Sequence, residues 1–444
     1  MARLFGTDGI RGIAYTELTE ELAKSVGSAL VEVLGAESET KVLIGLDTRE
    51  SSEDLGRALA EGICLGGSDA YIVGVCSTPA VAYLVKKLGF NAGVMISASH
   101  NPYQFNGIKI FASDGYKLSD ETEDKIEEII KTGTSINAAK KGKIEYLKDA
   151  RNEYSKYLIS AFGVSIYGLK IGIDCANGSA SATAKEVFES LGGECVMLAN
   201  TPNGKNINNN CGSTHPQGLV EKVKELGLDL GIAFDGDADR CIAIDENGRE
   251  IDGDYIMAVL SLWLKSKGKL NKDTVVGTVM SNLGFIKFCK ANNLSFVATK
   301  VGDRYVLEEM LKNGYNFGGE QSGHLILSDL ATTGDGQLTA IALVSLLKES
   351  GKKLSELSDV MKKFPQYMVN ISANAEEKAM MTQNEEILAL IKATEKKLEG
   401  GGRLVIRPSG TEPLVRIMAE GESLDVIKEL CDGLAKEISE IFKK

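Results

Sequence analysis

One pattern, written three times, constrains this fold most: an apolar strand, a turn, an amphipathic helix, a glycine-marked stop and a second apolar strand. The first copy runs from Lys41 (KVLIGLD) through a helix near Ser52 to Gly67 and the strand AYIVGV. The second starts at Leu169 (LKIGID), passes a helix over about Thr183 to Leu191 and returns as ECVMLA. The third starts near Thr274 (TVVGTVMS), with a helix around Phe285 to Asn292 and the strand SFVATK. Two strands joined by a helix form a βαβ unit, so each copy predicts an α/β sheet of parallel or mixed type. The copies start roughly a hundred residues or more apart, too far for a solenoid, so they read as repeated domains.

The last stretch reads differently. After Pro365 come a short strand (MVNIS), a helix, a glycine cluster at Gly400 to Gly402, and the strands RLVIR and LVRIMAEG. A final helix is predicted from about Leu424 to Phe442, because Ile427, Leu430, Leu434, Ile438 and Ile441 recur at helical spacing. This is a smaller α+β domain with mainly antiparallel pairing. The division expected is 1–153, 154–253, 254–367 and 368–444, with the three α/β domains and the smaller one around a central cleft.

Bulk properties narrow the class. At 444 residues the chain exceeds one small core, and 43% hydrophobic with 25% charged residues is ordinary globular composition. It has no apolar run of bilayer length and no charged-then-apolar start, which predicts a cytoplasmic protein with no membrane partner. Eight cysteines without a C-x-x-C pair speak against a disulfide framework or a zinc ribbon, and Cys175, Cys195 and Cys289 read as core residues. A net charge of −12 repels nucleic acid, and it demands a locally positive pocket for any anionic substrate.

Four loops carry chemistry. The first, Ser97-Ala-Ser-His-Asn-Pro102, follows the strand Ala92-Gly-Val-Met-Ile, so Ser99 is presented at the mouth of a sheet, where ligands bind. His100 could polarise that hydroxyl or hold a phosphate, and Lys109 downstream could balance phosphate charge or shuttle a proton. Taken alone, this stretch reads as a Ser/Asn/Pro turn without chemistry. The second loop, Asp235-Gly-Asp-Ala-Asp-Arg240, ends the apolar strand Leu230-Gly-Ile-Ala-Phe. Its three carboxylates alternate with Gly236 and Ala238, whose small side chains let the backbone curl until the oxygens meet around one ion. All-oxygen ligation suits Mg²⁺, and the lack of interspersed histidine or cysteine disfavours zinc. The apolar run Cys241 to Ile244 rules out an EF-hand loop.

The third loop, Gly318-Gly-Glu-Gln-Ser-Gly-His324, projects a carboxylate and a hydroxyl that suit sugar hydroxyls. The fourth, Arg407-Pro-Ser-Gly-Thr-Glu-Pro413 with Arg416, offers guanidinium forks and hydroxyls to a phosphate and is the positive pocket the acidic chain needs. It lacks the spacing of a P-loop. Of three histidines, His100 and His324 fall in these loops, and His215 lies in a separate loop with a structural reading. A serine, a magnesium-type triad, a sugar-binding carboxylate and a second phosphate site together describe a mutase. Such an enzyme donates phosphate to one hydroxyl and takes it back from another.

The four loops, SASHNP, DGDADR, GEQSGH and RPSGTEP in that order, resemble the α-D-phosphohexomutase superfamily. The opening Arg3-Leu-Phe-Gly-Thr-Asp-Gly-Ile-Arg-Gly12, the stretch Ile207 to Pro216 and Val301-Gly-Asp-Arg-Tyr305 resemble its bacterial branch that acts on glucosamine phosphates. The resemblance spans essentially the whole chain. It implies that Ser99 is a phosphoserine, and that Mg²⁺ is held by Asp235, Asp237, Asp239 and the Ser99 phosphate. It implies Arg11 and Lys109 near the reacting oxygens, as acid–base or charge-stabilising candidates, and Arg240 beside the metal loop touching the phosphate or substrate, with His100 completing the catalytic set. Gly302, Asp303, Glu320, Ser322 and His324 would hold the sugar. Arg407, Ser409, Gly410, Thr411 and Arg416 would hold the phosphate that does not react. The implied reaction converts glucosamine 6-phosphate to glucosamine 1-phosphate through glucosamine 1,6-bisphosphate, in a monomer or homodimer that feeds UDP-N-acetylglucosamine synthesis. Superfamily members often carry an acid before the Asn-Gly of the serine loop, where this chain has Phe105. Alternatives are the same mechanism on mannose or glucose phosphates, a metal-dependent phosphatase with Asp235 as nucleophile, or a non-catalytic sugar-phosphate sensor.

Overall fold

The computed structural model describes residues 3–6, 8–35, 40–133, 138, 141–409 and 413–443. Its strands form four sheets of six, five, four and three strands. Three of the sheets share one strand order, which is the repeat read in the sequence. In the first, the order Asp69–Val75, Lys41–Leu46, Ala92–Ile96, Phe105–Ala112 is extended at the edges by Ile144–Tyr146 and Ile10–Ile13. In the second it is Glu194–Leu198, Lys170–Asp174, Leu230–Phe234, Cys241–Asp245, followed by Glu250–Ile251. In the third it is Ser295–Thr299, Thr274–Thr278, Phe317–Gly319, Leu325–Leu327. The first three strands of each set are parallel and the fourth is antiparallel, so the sheets are mixed.

The topology positions the chemistry. In each repeat the third strand ends in a loop that turns back into the antiparallel fourth strand. Those loops are 97–104, 235–240 and 320–324. In the C-terminal sheet, Arg403–Pro408 and Leu414–Glu420 are likewise antiparallel neighbours on either side of 409–413. All four chemical loops therefore join antiparallel neighbours at the end of a strand, and the strands Ala92–Ile96 and Leu230–Phe234 that lead into the first two are wholly buried.

Local signals set the helices. Ser77 accepts from the backbone N–H of Ala80, Pro79 stands in the first turn, and Gly89 in the left-handed region stops the helix Thr78–Leu88. The final helix is Leu424–Phe442, buried along Ile427, Leu434, Ile438 and Ile441. The boundary expected at 153 falls inside the helix Ala150–Ser160, and that at 367 inside the strand Gln366–Ser372.

One apolar core runs through the first three units, joining Leu43 and Val81 to Ile173, Ile256, Phe285 and Leu343. The C-terminal unit has its own, around Ile371, Ile417, Cys431 and Ile438. The helix Gly336–Ser350 is buried nearly all round and ties the block together. All eight cysteines are free, seven of them buried, in keeping with a packing role. No described helix is long and apolar enough to cross a membrane.

Candidate active site

Ser99 leaves its strand in the left-handed region, with φ of 53°, a conformation that serine adopts only when its surroundings impose it. The side chain is buried, and Oγ donates to Asp235 Oδ2 at 2.6 Å. His100 Nδ1 lies 3.4 Å from the same hydroxyl. Burial, then Arg240 and Arg11, push the His100 pKa down to about 4, so its ring is neutral at pH 7.

The carboxylates of Asp235, Asp237 and Asp239 are buried, with one oxygen from each lying within 4.8 Å of the others. Ala238, at φ of 57°, supplies the curl that an extended chain lacks. A Cβ on Gly236 would meet the Ser99 carbonyl oxygen at 2.5 Å, so only glycine lets the two loops touch. Asp237 Oδ1 and Asp239 Oδ1 are buried without a hydrogen-bond partner. Burial, then Asp239 and Asp237, hold the Asp235 pKa well above the carboxylate range. Crowded carboxylates with orphaned oxygens are what a hard divalent cation would relieve, so the donor set fits Mg²⁺.

Lys109 sits at the centre of this charge, 1% exposed. Its Nζ lies 2.8 Å from Asp237, 3.0 Å from Asp8 and 3.4 Å from Asp239. Burial opposes its charge, but those carboxylates win and hold its pKa well above the ordinary lysine value. Arg11 is exposed and pairs with Asp8 at 2.5 Å. Arg240 Nε stands 3.9 Å from Asp239 Oδ1.

Glu320 Oε1 accepts the backbone N–H of Gly302 at 3.0 Å, which holds the carboxylate in place, while Ser322 beside it is exposed. Glu320 is near enough to Arg240 and Arg407 to favour the charge of both. The Gly334 N–H lies 3.1 Å from His324 Nε2, while Asp239 faces Nδ1 and Asp303 faces Nε2, each at 3.5 Å; burial opposes the ring's charge, but these carboxylates push its pKa up to about 9. Asp303 is paired with Lys117 at 2.5 Å.

Arg407 and Arg416 are direct cross-strand partners. Like charges in that position repel, and burial, then Arg416, lower the Arg407 pKa. Arg407 Nε is buried without a partner. Two forced guanidinium neighbours fit an anion between them. Ser409 is buried alongside, whereas Gly410 and Thr411 lie outside the described residues.

The structure thus gathers Ser99, His100, Lys109, the three aspartates, Arg240 and His324, and sets the arginine pair on the neighbouring unit. Asp8, Thr78, Lys117, Arg49 and Asn208 escaped the sequence reading as functional residues. Thr78 Oγ1 donates to Asp237 Oδ2 at 2.5 Å, and Lys117 joins Asp8 at 2.5 Å. Asp8 stands in the stretch Arg3 to Gly12 and Asn208 in the stretch Ile207 to Pro216, so a signal existed for both. Thr78 and Lys117 gave none.

Known proteins share this domain order and fold. Residues 2–137, 145–248, 252–364 and 368–437 match, in order, alpha/beta/alpha domains I, II and III and the C-terminal domain of phosphoglucomutase/phosphomannomutase. A phosphoglucosamine mutase of Caldicellulosiruptor saccharolyticus is 52% identical over 444 residues, covering 99% of both chains. The crystal structure of a phosphoglucomutase/phosphomannomutase family protein from Burkholderia thailandensis superposes with a TM-score of 0.82 at 22% identity, over 98% of each chain. An Aspergillus fumigatus N-acetylphosphoglucosamine mutase, solved in complex with GlcNAc-6P and magnesium, superposes at 0.67 and 17% identity, over 98% of this chain and 95% of that one. The last two show likeness of fold alone.

Proposed function

The chain belongs to the phosphoglucomutase/phosphomannomutase family, and we propose that it interconverts glucosamine 6-phosphate and glucosamine 1-phosphate as an isomerase. The observation that carries the reading is the 2.6 Å bond from Ser99 Oγ to Asp235, which sets a nucleophile against a metal-type triad. Relatives about half identical over the full chain and named for this activity support it.

Mg²⁺ would be bound by Asp235, Asp237, Asp239 and a phosphate on Ser99, and would neutralise charge on the phosphoryl group in transfer. Phospho-Ser99 gives its phosphoryl to the sugar O1: the Oγ–P bond breaks, the O1–P bond forms, and the proton of the sugar hydroxyl ends, in net, on the freed Ser99 Oγ. The bisphosphate turns over, and Ser99 Oγ takes the 6-phosphoryl: the O6–P bond breaks, the Oγ–P bond forms again, and the serine proton ends on O6, leaving glucosamine 1-phosphate. Lys109 stabilises charge beside the reacting oxygens, with Arg11, His100 and Arg240 around them. Glu320, Ser322 and His324 orient the sugar, with Gly302 and Asp303 supporting that loop. Arg407, Arg416, Ser409, Gly410 and Thr411 hold whichever phosphate is not reacting. The enzyme would work in the cytoplasm as a monomer or homodimer, on phosphosugars and not on nucleic acid.

Intact mass and turnover of wild type and Ser99→Ala, with glucosamine 6-phosphate and Mg²⁺, test this. Wild type alone should carry one phosphate and make the 1-phosphate. Undiminished turnover by Ser99→Ala would sink the mechanism, and a clear preference for mannose or glucose phosphates would sink the substrate.

A further inference from the structure

The strained backbone of Ser99 needs a restraint, and two side chains outside the four chemical loops supply one. Arg49 lies at the end of the strand Lys41–Leu46, its side chain wholly buried with that of Asp47, which it pairs at 2.8 Å through Nε. Asp47 is fixed in turn by the Arg49 N–H at 3.0 Å and by Ser52 Oγ at 2.6 Å. The other edges of the guanidinium face the serine loop. Nη2 donates to the carbonyls of Ser99 (2.9 Å) and Asn101 (2.9 Å), and Nη1 to that of Pro102 (2.5 Å).

Asn208 approaches from the second unit. Its Nδ2 donates to the carbonyls of Ser99 (2.9 Å) and Asn101 (3.1 Å). The Ser99 carbonyl thus accepts from both sides, which fills its two lone pairs. It also rests against Gly236 of the aspartate loop, where an added Cβ would strike both the Ser99 oxygen and Asn208 Nδ2. The contact is therefore shared by the serine loop, the aspartate loop and Asn208.

We propose that Arg49 and Asn208 are positioning residues that jointly clamp the Ser99 carbonyl, lock its left-handed backbone and aim Oγ at the aspartate triad. The clamp rests on the mutase reading above and deepens it. Neither residue reaches the reacting atoms. Their product is alignment, and a displacement near 1 Å costs on the order of 10²-fold in rate. Lysine cannot replace the arginine, because an ammonium lacks the planar fork that serves a carboxylate and three carbonyls at once.

The test compares wild type, Arg49→Lys, Asn208→Gly, the double variant and Ser99→Ala. Glycine at 208 removes the donors and keeps the positive φ of 57° without strain. Each single variant should lose kcat, on the order of 10²-fold for Arg49→Lys and about tenfold for Asn208→Gly, with KM for glucosamine 6-phosphate unchanged within about threefold. The double variant should lose less than the product of the single losses, because both residues hold one oxygen. A purely structural role predicts a lower melting temperature with kcat per folded molecule intact, and that result overturns the clamp. If Arg49→Lys does not fold, Asn208→Gly decides alone, since it spares the buried ion pair. Wild-type kcat in the clamp variants beside a dead Ser99→Ala refutes the clamp only. Full turnover by Ser99→Ala refutes the mutase reading beneath it.

Discussion

A buried carboxylate is stable only where something offsets the loss of its water, and Asp254 has little that does. Its Oδ2 accepts the Asn282 N–H at 2.7 Å, but Oδ1 is buried with no partner. Burial, then Asp252, push its pKa up to about 8. The folded state therefore holds a proton that the unfolded chain releases near pH 4. The resulting stability is complete below that pH and is lost as pH rises towards 8, at no more than about 1.4 kcal/mol per pH unit. Asp254→Asn should melt a few degrees above wild type at pH 8, and the gap should shrink towards pH 5. A pH-independent gap would mean that packing, not charge, sets the effect. The aspartate triad calls for the opposite remedy, a cation. Because Asp237 Oδ1 and Asp239 Oδ1 are orphaned, saturating Mg²⁺ should raise the melting temperature, by about 2.7 kcal/mol of stability at a hundredfold excess over Kd. Asp237→Ala should abolish the rise, and an equal rise in that variant would put the ion elsewhere.

At the scale of elements, the hairpin loops are knitted to one another by backbone bonds. The Thr78 N–H donates to the Asp237 carbonyl, Cys241 N–H to Gly323, and Gly336 N–H to Ala238. Gly323, at φ of 90°, stands where a Cβ would lie 2.3 Å from the Cys241 carbonyl oxygen. Gly323→Ala should part the sugar loop from the aspartate hairpin, costing about 1–3 kcal/mol of stability together with activity. Wild-type melting and turnover would show that the two loops need not touch. This also explains what the sequence could reveal. Strand, helix and loop were legible because each is coded within about ten residues, by apolar runs, glycine stops and chemically dense turns. The Ser99–Asp235 bond was legible only through the combination of motifs. Lys109 as a caged cation was not, because its cage comes from Asp8, Asp237 and Asp239. Arg49 carried no local signal, because its three carbonyl partners lie some fifty positions away.

The molecule as a whole is a block of three units with a fourth attached by a narrow polar seam. One apolar cluster runs through all three units of the block, beside others within single units, while the C-terminal unit's cluster is separate. Among the described residues, hydrogen bonds between that unit and the block run through a few groups. Glu420, 0% exposed, accepts from Asn282 Nδ2 (3.0 Å) and the Leu283 N–H (2.9 Å) while paired with Arg403 at 2.6 Å. Arg403 donates to the Ser281 carbonyl, and the Gly421 N–H to Pro365 at 3.2 Å. The arginine pair that would hold the resting phosphate rides on this unit, and Ser99 rides on the block. On the mechanism proposed above, the seam would set the distance between the two phosphate sites, across which the bisphosphate would have to stay bound. Glu420→Ala leaves Arg403 without its buried partner and removes both acceptors from Asn282 and Leu283. We expect KM for glucosamine 6-phosphate to rise about tenfold or more, as the clamp no longer closes on the phosphate, with the melting transition of the block little changed because its core is separate. Small-angle scattering should show a larger radius of gyration for the variant. A lowered kcat at unchanged KM and unchanged radius would instead mean that the seam serves the chemistry at Ser99, not the reach of the phosphate clamp.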